Sequence, residues 1–153
     1  RIQFVRSRAS LANATISTNQ PMNKISDFIR HYWPSVLTLS VVLYATLCSD
    51  PLGDSSMPPI PHLDKLIHAV MMGGLYGAIV FDRQRSDRSR PLTRRFIYLL
   101  AAAVIAFGAL DEVAQVAMGL GRSGDLYDFA ADCSGVAVAF FTAPPAVRKV
   151  LKM

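Results

Sequence analysis

The chain gathers its chemically capable side chains into two short segments. Residues 64–68 read Asp-Lys-Leu-Ile-His, and residues 111–132 carry Asp111, Glu112, Gln115, Arg122, Asp125, Asp128 and Asp132. Both segments adjoin long apolar runs. Ionisable groups at membrane depth are expensive, and they persist where they are paired, solvated through a cavity, or functional. Helical residues three and four apart share a face. Asp64 therefore aligns with His68, and Gln115 with both Glu112 and Asp111, while Asp125, Asp128 and Asp132 line one stripe. An imidazole among carboxylates can move protons, with His68 as general acid or base and Glu112 or Asp128 orienting it or sharing its proton. His68, Glu112, Asp128 and Asp132 also offer the mixed nitrogen and oxygen donors of a divalent-cation site. Lys65 and Arg122 would hold an anionic group, with Glu112, Gln115 and Asp128 hydrogen-bonding polar ones.

Several of these residues have plainer roles. Asp64 and Asp125 suit helix N-caps, and Asp128 a first turn, where the helix dipole favours negative charge. Lys65 can extend to lipid headgroups, Asp111 can face the interface, and Arg122 can pair with Asp125. None of this accounts for His68, Glu112 and Asp132. They lie a turn or two inside the apolar layer, where an ionised group needs a partner. No Ser-His-Asp elbow or HExxH motif is present. The two cysteines, Cys48 and Cys133, form no CxxC, so a zinc-thiolate site is unsupported. No metal or other cofactor is expected.

The elements that position these groups are apolar helices. Hydrophobic residues make up 52% of the 153 and fall in four blocks, 33–48, 66–81, 96–110 and 129–143. Each block is shorter than the roughly 20 residues that a bilayer core demands. Each extends through its polar flanks, the third as far as 118, the second and fourth from Asp64 and Asp125. The expected fold is all-α: a four-helix transmembrane bundle with a short N-terminal interfacial amphipathic helix. That short helix covers 25–33, where Ile25, Phe28, Ile29, Tyr32 and Trp33 recur at spacings of three and four. Pro34 then starts or kinks the first span.

Lys and Arg are sorted along the chain. Arg1, Arg6, Arg8, Lys24 and Arg30 precede the first block, and residues 49–63 carry none. Six Arg residues crowd 82–95, Arg122 stands alone in the last connection, and Arg148, Lys149 and Lys152 close the chain. The positive-inside rule places both termini and the 82–95 connection in the cytoplasm, with 49–63 and 119–127 outside. The net charge of +5 is thus a topology signal, and no nucleic-acid partner is expected. The protein reads as multi-pass in a bacterial cytoplasmic (inner) membrane, with membrane lipids as partners. Both polar segments then meet at the outer face. The inner halves of the spans are expected to lack carboxylates, which makes a proton-coupled transporter the lesser alternative.

Smaller features complete the outline. Pro51, Pro58, Pro59 and Pro61 predict an extended outer arm. Gly73/Gly77, Gly74/Ala78 and Ala131/Gly135/Ala139 have the small-xxx-small spacing of closely packed helices. Cys48 and Cys133 differ in depth, which predicts two free thiols. Residues 1–23 read as a disordered or artefactual tail, 24–147 as the membrane domain and 148–153 as a basic cytoplasmic tail.

The pattern D-K-x-x-H at the start of one span, E-x-x-Q at the end of the next, then R, D and a small-residue helix resembles the VanZ-like membrane proteins. Here it is Asp64, Lys65 and His68, then Glu112 and Gln115, then Arg122, Asp128 and Gly135, within residues 33–142. One position departs: the family pattern has Asn four residues after the fourth-span Asp, and this chain has Asp132. The family takes its name from a member associated with low-level resistance to a glycopeptide antibiotic. The resemblance implies a role at the outer membrane face, near envelope precursors. The expected function is an outward-facing polar pocket that binds a lipid headgroup, a cell-wall precursor or a glycopeptide. Its ligand-binding set is Asp64, Lys65, His68, Glu112, Gln115, Arg122, Asp128 and Asp132. The alternative is a membrane enzyme acting on a lipid-linked substrate, with His68, Glu112 and Asp128 as its catalytic residues.

Overall fold

The computed structural model describes residues 24–48, 62–119 and 125–152. The N-terminal tail, the proline-rich arm and Arg122 lie outside them. The described residues form four helices: α1 (Lys24–Leu47), α2 (Leu63–Ser86), α3 (Arg94–Met118) and α4 (Leu126–Val150). Three of these, α2, α3 and α4, are long and apolar enough to cross a membrane. Apolar side chains face outward on all four, among them Val41, Val70, Val113 and Phe141. An outward apolar surface suits lipid as solvent, while the backbone polar groups stay satisfied within each helix.

The core lies along α2. Met72, Leu75, Tyr76 and Val80 pack with Val42 of α1, Val104 of α3 and Val136 and Ala139 of α4. The widest interface joins α2 to α4, and small residues make it possible. A Cβ on Gly73 would stand 2.8 Å from the Gly135 carbonyl oxygen, and a Cβ on Gly135 would overlap the Ala69 carbonyl. The small-residue stripes on these two helices therefore meet each other, as backbone-to-backbone packing requires. Gly74 takes no part in this, and a Cβ there would meet nothing within 4 Å.

The helix ends follow local chemistry, with one departure from the expected caps. Asp125 caps α4, accepting from the Tyr127 amide at 2.9 Å. Thr93 caps α3 through the Phe96 amide at 3.2 Å. Gly119 ends α3 at φ 60°, a left-handed conformation in which glycine carries no Cβ strain. Asp64 is not the N-cap of α2. That position is His62, which makes no side-chain cap bond, and Asp64 sits in the first turn. Cys48 and Cys133 are free.

The expected interfacial helix is not separate from the first apolar block. It forms the opening turns of α1, which bends at Tyr32 (φ −114°, ψ 21°) just before Pro34. The bend breaks the bond that Ser35 N–H would make to the His31 carbonyl four residues back. Both orphaned groups are taken up by α2. Asp82 Oδ2 accepts from Ser35 N at 2.9 Å and from Ser35 Oγ at 2.6 Å. Arg85 Nη2 donates to the His31 carbonyl at 2.6 Å and stands 3.3 Å from Asp82 Oδ1. Asp82 is completely buried. This corrects the expectation that the helix halves remote from the polar segments carry no carboxylate. Its position at the edge of the arginine-rich 82–95 run reads as connection, and its partner Ser35, on a different helix, leaves no local sequence signal.

Candidate functional site

At the opposite end of the bundle from Asp82, the C-terminal turns of α1 and α3 meet the N-terminal turns of α2 and α4. The polar residues there form three adjoining groups. In the outermost, Lys65 Nζ donates to Asp64 at 2.9 Å, Asp128 at 3.0 Å and Asp125 at 3.2 Å. One ammonium thus serves three carboxylates from two helices, and it ties the start of α2 to the start of α4. The Tyr127 amide and Lys65 together hold the Asp125 carboxyl below the usual carboxylate range.

One turn deeper, His68, Glu112 and Asp132 come together from α2, α3 and α4. His68 Nδ1 lies 3.1 Å from Asp132 Oδ1 and 3.9 Å from Glu112 Oε1. Their donor atoms all lie within 4.8 Å of one another. Side-chain exposure is 10% for His68, 12% for Glu112 and 2% for Asp132. Glu112 has a structural duty on its second oxygen: Oε2 accepts from the Asp125 amide at 3.1 Å, joining the end of α3 to the start of α4. Its Oε1 and the Asp132 Oδ2 are buried with no hydrogen-bond donor among the described residues. Asp132 Oδ2 is turned towards α3 at Gly108, where a Cβ would stand 3.0 Å away. The missing side chain at 108 makes room for this carboxylate one turn from Glu112.

The third group is Asp111, which accepts from Gln115 Nε2 at 3.1 Å and from Thr46 Oγ1 at 3.0 Å, all three being buried. Gln115 therefore faces Asp111 and α1, while Glu112 faces His68. Both of its i−3 and i−4 partnerships were legible in the spacing, and the structure selects the latter. Asp111 lay outside the predicted binding set, and Thr46 had no signal at all. Of that set, His68, Glu112 and Asp132 share one cluster, and Asp64, Lys65 and Asp128 share the next. Arg122 is outside the described residues.

Beside these groups an open groove of about 360 Å³ runs along the outside of the α2–α4 interface. Ala69, Gly73, Gly74, Ser134, Gly135 and Val138 line it. It begins at Ala69, the residue after His68, and at Ser134, two residues after Asp132. Its apolar floor is continuous with the glycine contact, because close helices with small side chains leave a furrow along their seam.

Chemically, the polar end is an acid-rich cage. Asp64, Asp125 and Asp128 surround Lys65, Glu112 and Asp132 face His68, and Asp111 stands beside them on Thr46 and Gln115. Such a cage favours a cation or a donor-rich group, and His68 gives it a base oriented by a carboxylate. Compared with known families, the VanZ/LLP1 family model matches residues 3–148. Searches of curated proteins and of solved structures found no match.

Proposed function

The chain belongs to the VanZ/LLP1 family, and from that premise we propose that this integral membrane protein holds an envelope-related amphiphile at its acidic end. The amphiphile is a lipid headgroup, a cell-wall precursor or a glycopeptide. The observation that carries this reading is the adjacency of the α2–α4 groove to the polar cage. An acyl chain fits an apolar furrow with small walls, and a polar head at its upper end would lie level with His68 and Asp132. Lys65 is engaged by three carboxylates, so a head rich in hydroxyl or amine donors suits the cage better than a bare anion.

The proposed setting is a bacterial cytoplasmic membrane with both termini cytoplasmic and α1 as the fourth span. In its support, Arg83, Arg85, Arg94, Arg148 and Lys149 all belong to the end away from the cage. Cysteines at positions 56 and 121 should label from outside, and one at 86 from inside. The inverted pattern would move the cage to the cytoplasmic face and with it the source of the amphiphile.

Gly74→Leu tests the binding reading. The side chain enters open space, so the bundle is kept while the groove is filled. Native mass spectrometry of the protein extracted in mild detergent should show one retained amphiphile in the wild type and its loss in the variant. Equal retention in both would reject the groove as the site.

A second reading, acid–base chemistry on the same amphiphile, is favoured by the His68–Asp132 contact. That contact fixes the ring through Nδ1 and leaves Nε2 for a substrate. His68→Gln would then abolish turnover of the retained amphiphile without abolishing its retention.

A further inference from the structure

We propose that His68, Glu112 and Asp132 bind one divalent first-row transition ion, of the Zn²⁺ or Mn²⁺ class, between α2, α3 and α4. Sequence alone favours no metal and groups Asp128 with these three as donors. The geometry separates them, because Asp128 is committed to Lys65.

The first argument is distance. Two donors that share an ion through bonds of about 2.1 Å lie about 3.0 Å apart at a right angle and about 4.2 Å apart when opposite. The His68–Asp132 and His68–Glu112 separations, 3.1 and 3.9 Å, both fall in that window. The remaining pair is no further apart than 4.8 Å, so side-chain movements of under about 1 Å would complete the set.

The second argument is the unpaired oxygens. Among the described residues Asp132 Oδ2 and Glu112 Oε1 are buried without a donor, and an uncompensated buried carboxylate oxygen is costly. His68 cannot satisfy both, because its Nδ1 already faces Asp132 Oδ1. An ion held by His68 Nδ1, Asp132 Oδ1 and Glu112 Oε1 would meet the Glu112 oxygen directly and offset the charge of the Asp132 carboxylate. It would also explain why a second carboxylate is tolerated at position 132, one turn below a cluster that already carries three acids for one lysine.

The third argument is donor type. One imidazole nitrogen with two carboxylates suits zinc, manganese or iron, whereas calcium and magnesium prefer all-oxygen shells. Three protein donors also leave at least one coordination position for water or an oxygen of a bound molecule. The site itself stands independently of the amphiphile reading.

The experiment uses the full chain in detergent, stripped with a chelator and then titrated with ZnCl2 and MnCl2 by calorimetry, with bound metal counted by mass spectrometry. One ion per chain is expected. His68→Ala and Asp132→Asn should each weaken uptake by on the order of 100-fold. Asp87→Asn, which removes an acid at the opposite end of α2, should leave it unchanged. Glu112→Gln serves as the second probe if either variant loses the bundle, as judged by helical circular dichroism and monodispersity. Absence of saturable uptake by the wild type overturns the proposal, as does uptake that survives every cluster substitution. Gly74→Leu should keep the metal and lose the amphiphile, so the two readings fail separately.

Discussion

His68 and Asp132 meet at 3.1 Å, Nδ1 to Oδ1, across an interface that joins residues 64 apart in the chain. The contact exists because Gly135, one turn below Asp132, lets α4 lie directly on the α2 backbone at Ala69. Close packing of small residues thus sets the register of the polar pair above it.

If the pair is a single energetic unit, the two alanine substitutions should not add. His68→Ala and Asp132→Ala each leave a buried polar partner unmatched, at about 1–3 kcal/mol. The double variant should cost less than their sum, with a coupling of about 0.5–3 kcal/mol. Thermal unfolding in detergent of the four proteins of the cycle gives the answer, and strict additivity would show that the contact contributes nothing.

The two glycines on the α2–α4 seam should respond oppositely to the same change. A methyl group at Gly135 overlaps the Ala69 carbonyl, which is backbone and can move only with its helix. Gly135→Ala is expected to destabilise by about 1–3 kcal/mol through overpacking. Gly74→Ala enters open space and should stabilise by about 0.5–1 kcal/mol through reduced backbone freedom in the unfolded chain. Melting temperatures that moved together would contradict the seam described here.

Much of this arrangement was legible in the sequence, for reasons that also explain what was not. The helices announce themselves by apolar length, and the i+4 spacing of Asp64 with His68 and of Asp128 with Asp132 marks faces that a helix must keep. Periodicity says which residues share a face and nothing about which helix that face meets. Gln115 had two possible neighbours on its own helix, and only the position of Thr46 on α1 decides for Asp111. Asp82 was hidden for the same reason. It follows an apolar block and precedes a run of arginines, so it reads as the edge of a solvated loop. The bend at Tyr32 creates the orphaned amide that it serves, and that bend is a property of another helix.

The Asp82 contact makes a prediction about α1. Asp82→Ala removes the acceptor for Ser35 N–H and leaves Arg85 without its acid, at a cost on the order of 3 kcal/mol. Asp82→Asn keeps a carbonyl for the Ser35 amide and should cost less. Hydrogen exchange should localise the effect, with faster exchange at Ser35 and the residues just after it and little change in α3. Uniform acceleration across all helices would show that Asp82 supports the whole bundle rather than the bend.

The Lys65 group should give the protein a pH-dependent component of stability. Asp125 lies at the α4 N-cap, and its carboxyl is held low by the Tyr127 amide and by Lys65. A carboxyl whose folded pKa is depressed adds stability above its unfolded pKa of about 4, and that stability is lost as the pH falls through the folded value. Lys65→Met removes the ammonium that three carboxylates share and leaves the Tyr127 contribution in place. The variant should therefore melt below the wild type at pH 7, and the gap should narrow as the pH falls below about 4 and through the depressed folded value of Asp125. Lys65→Arg keeps the charge and should retain most of the difference at pH 7. Melting curves of the three proteins between pH 2 and 7 test this. A gap of constant size would assign the role of Lys65 to the packing of its aliphatic stem and not to its charge.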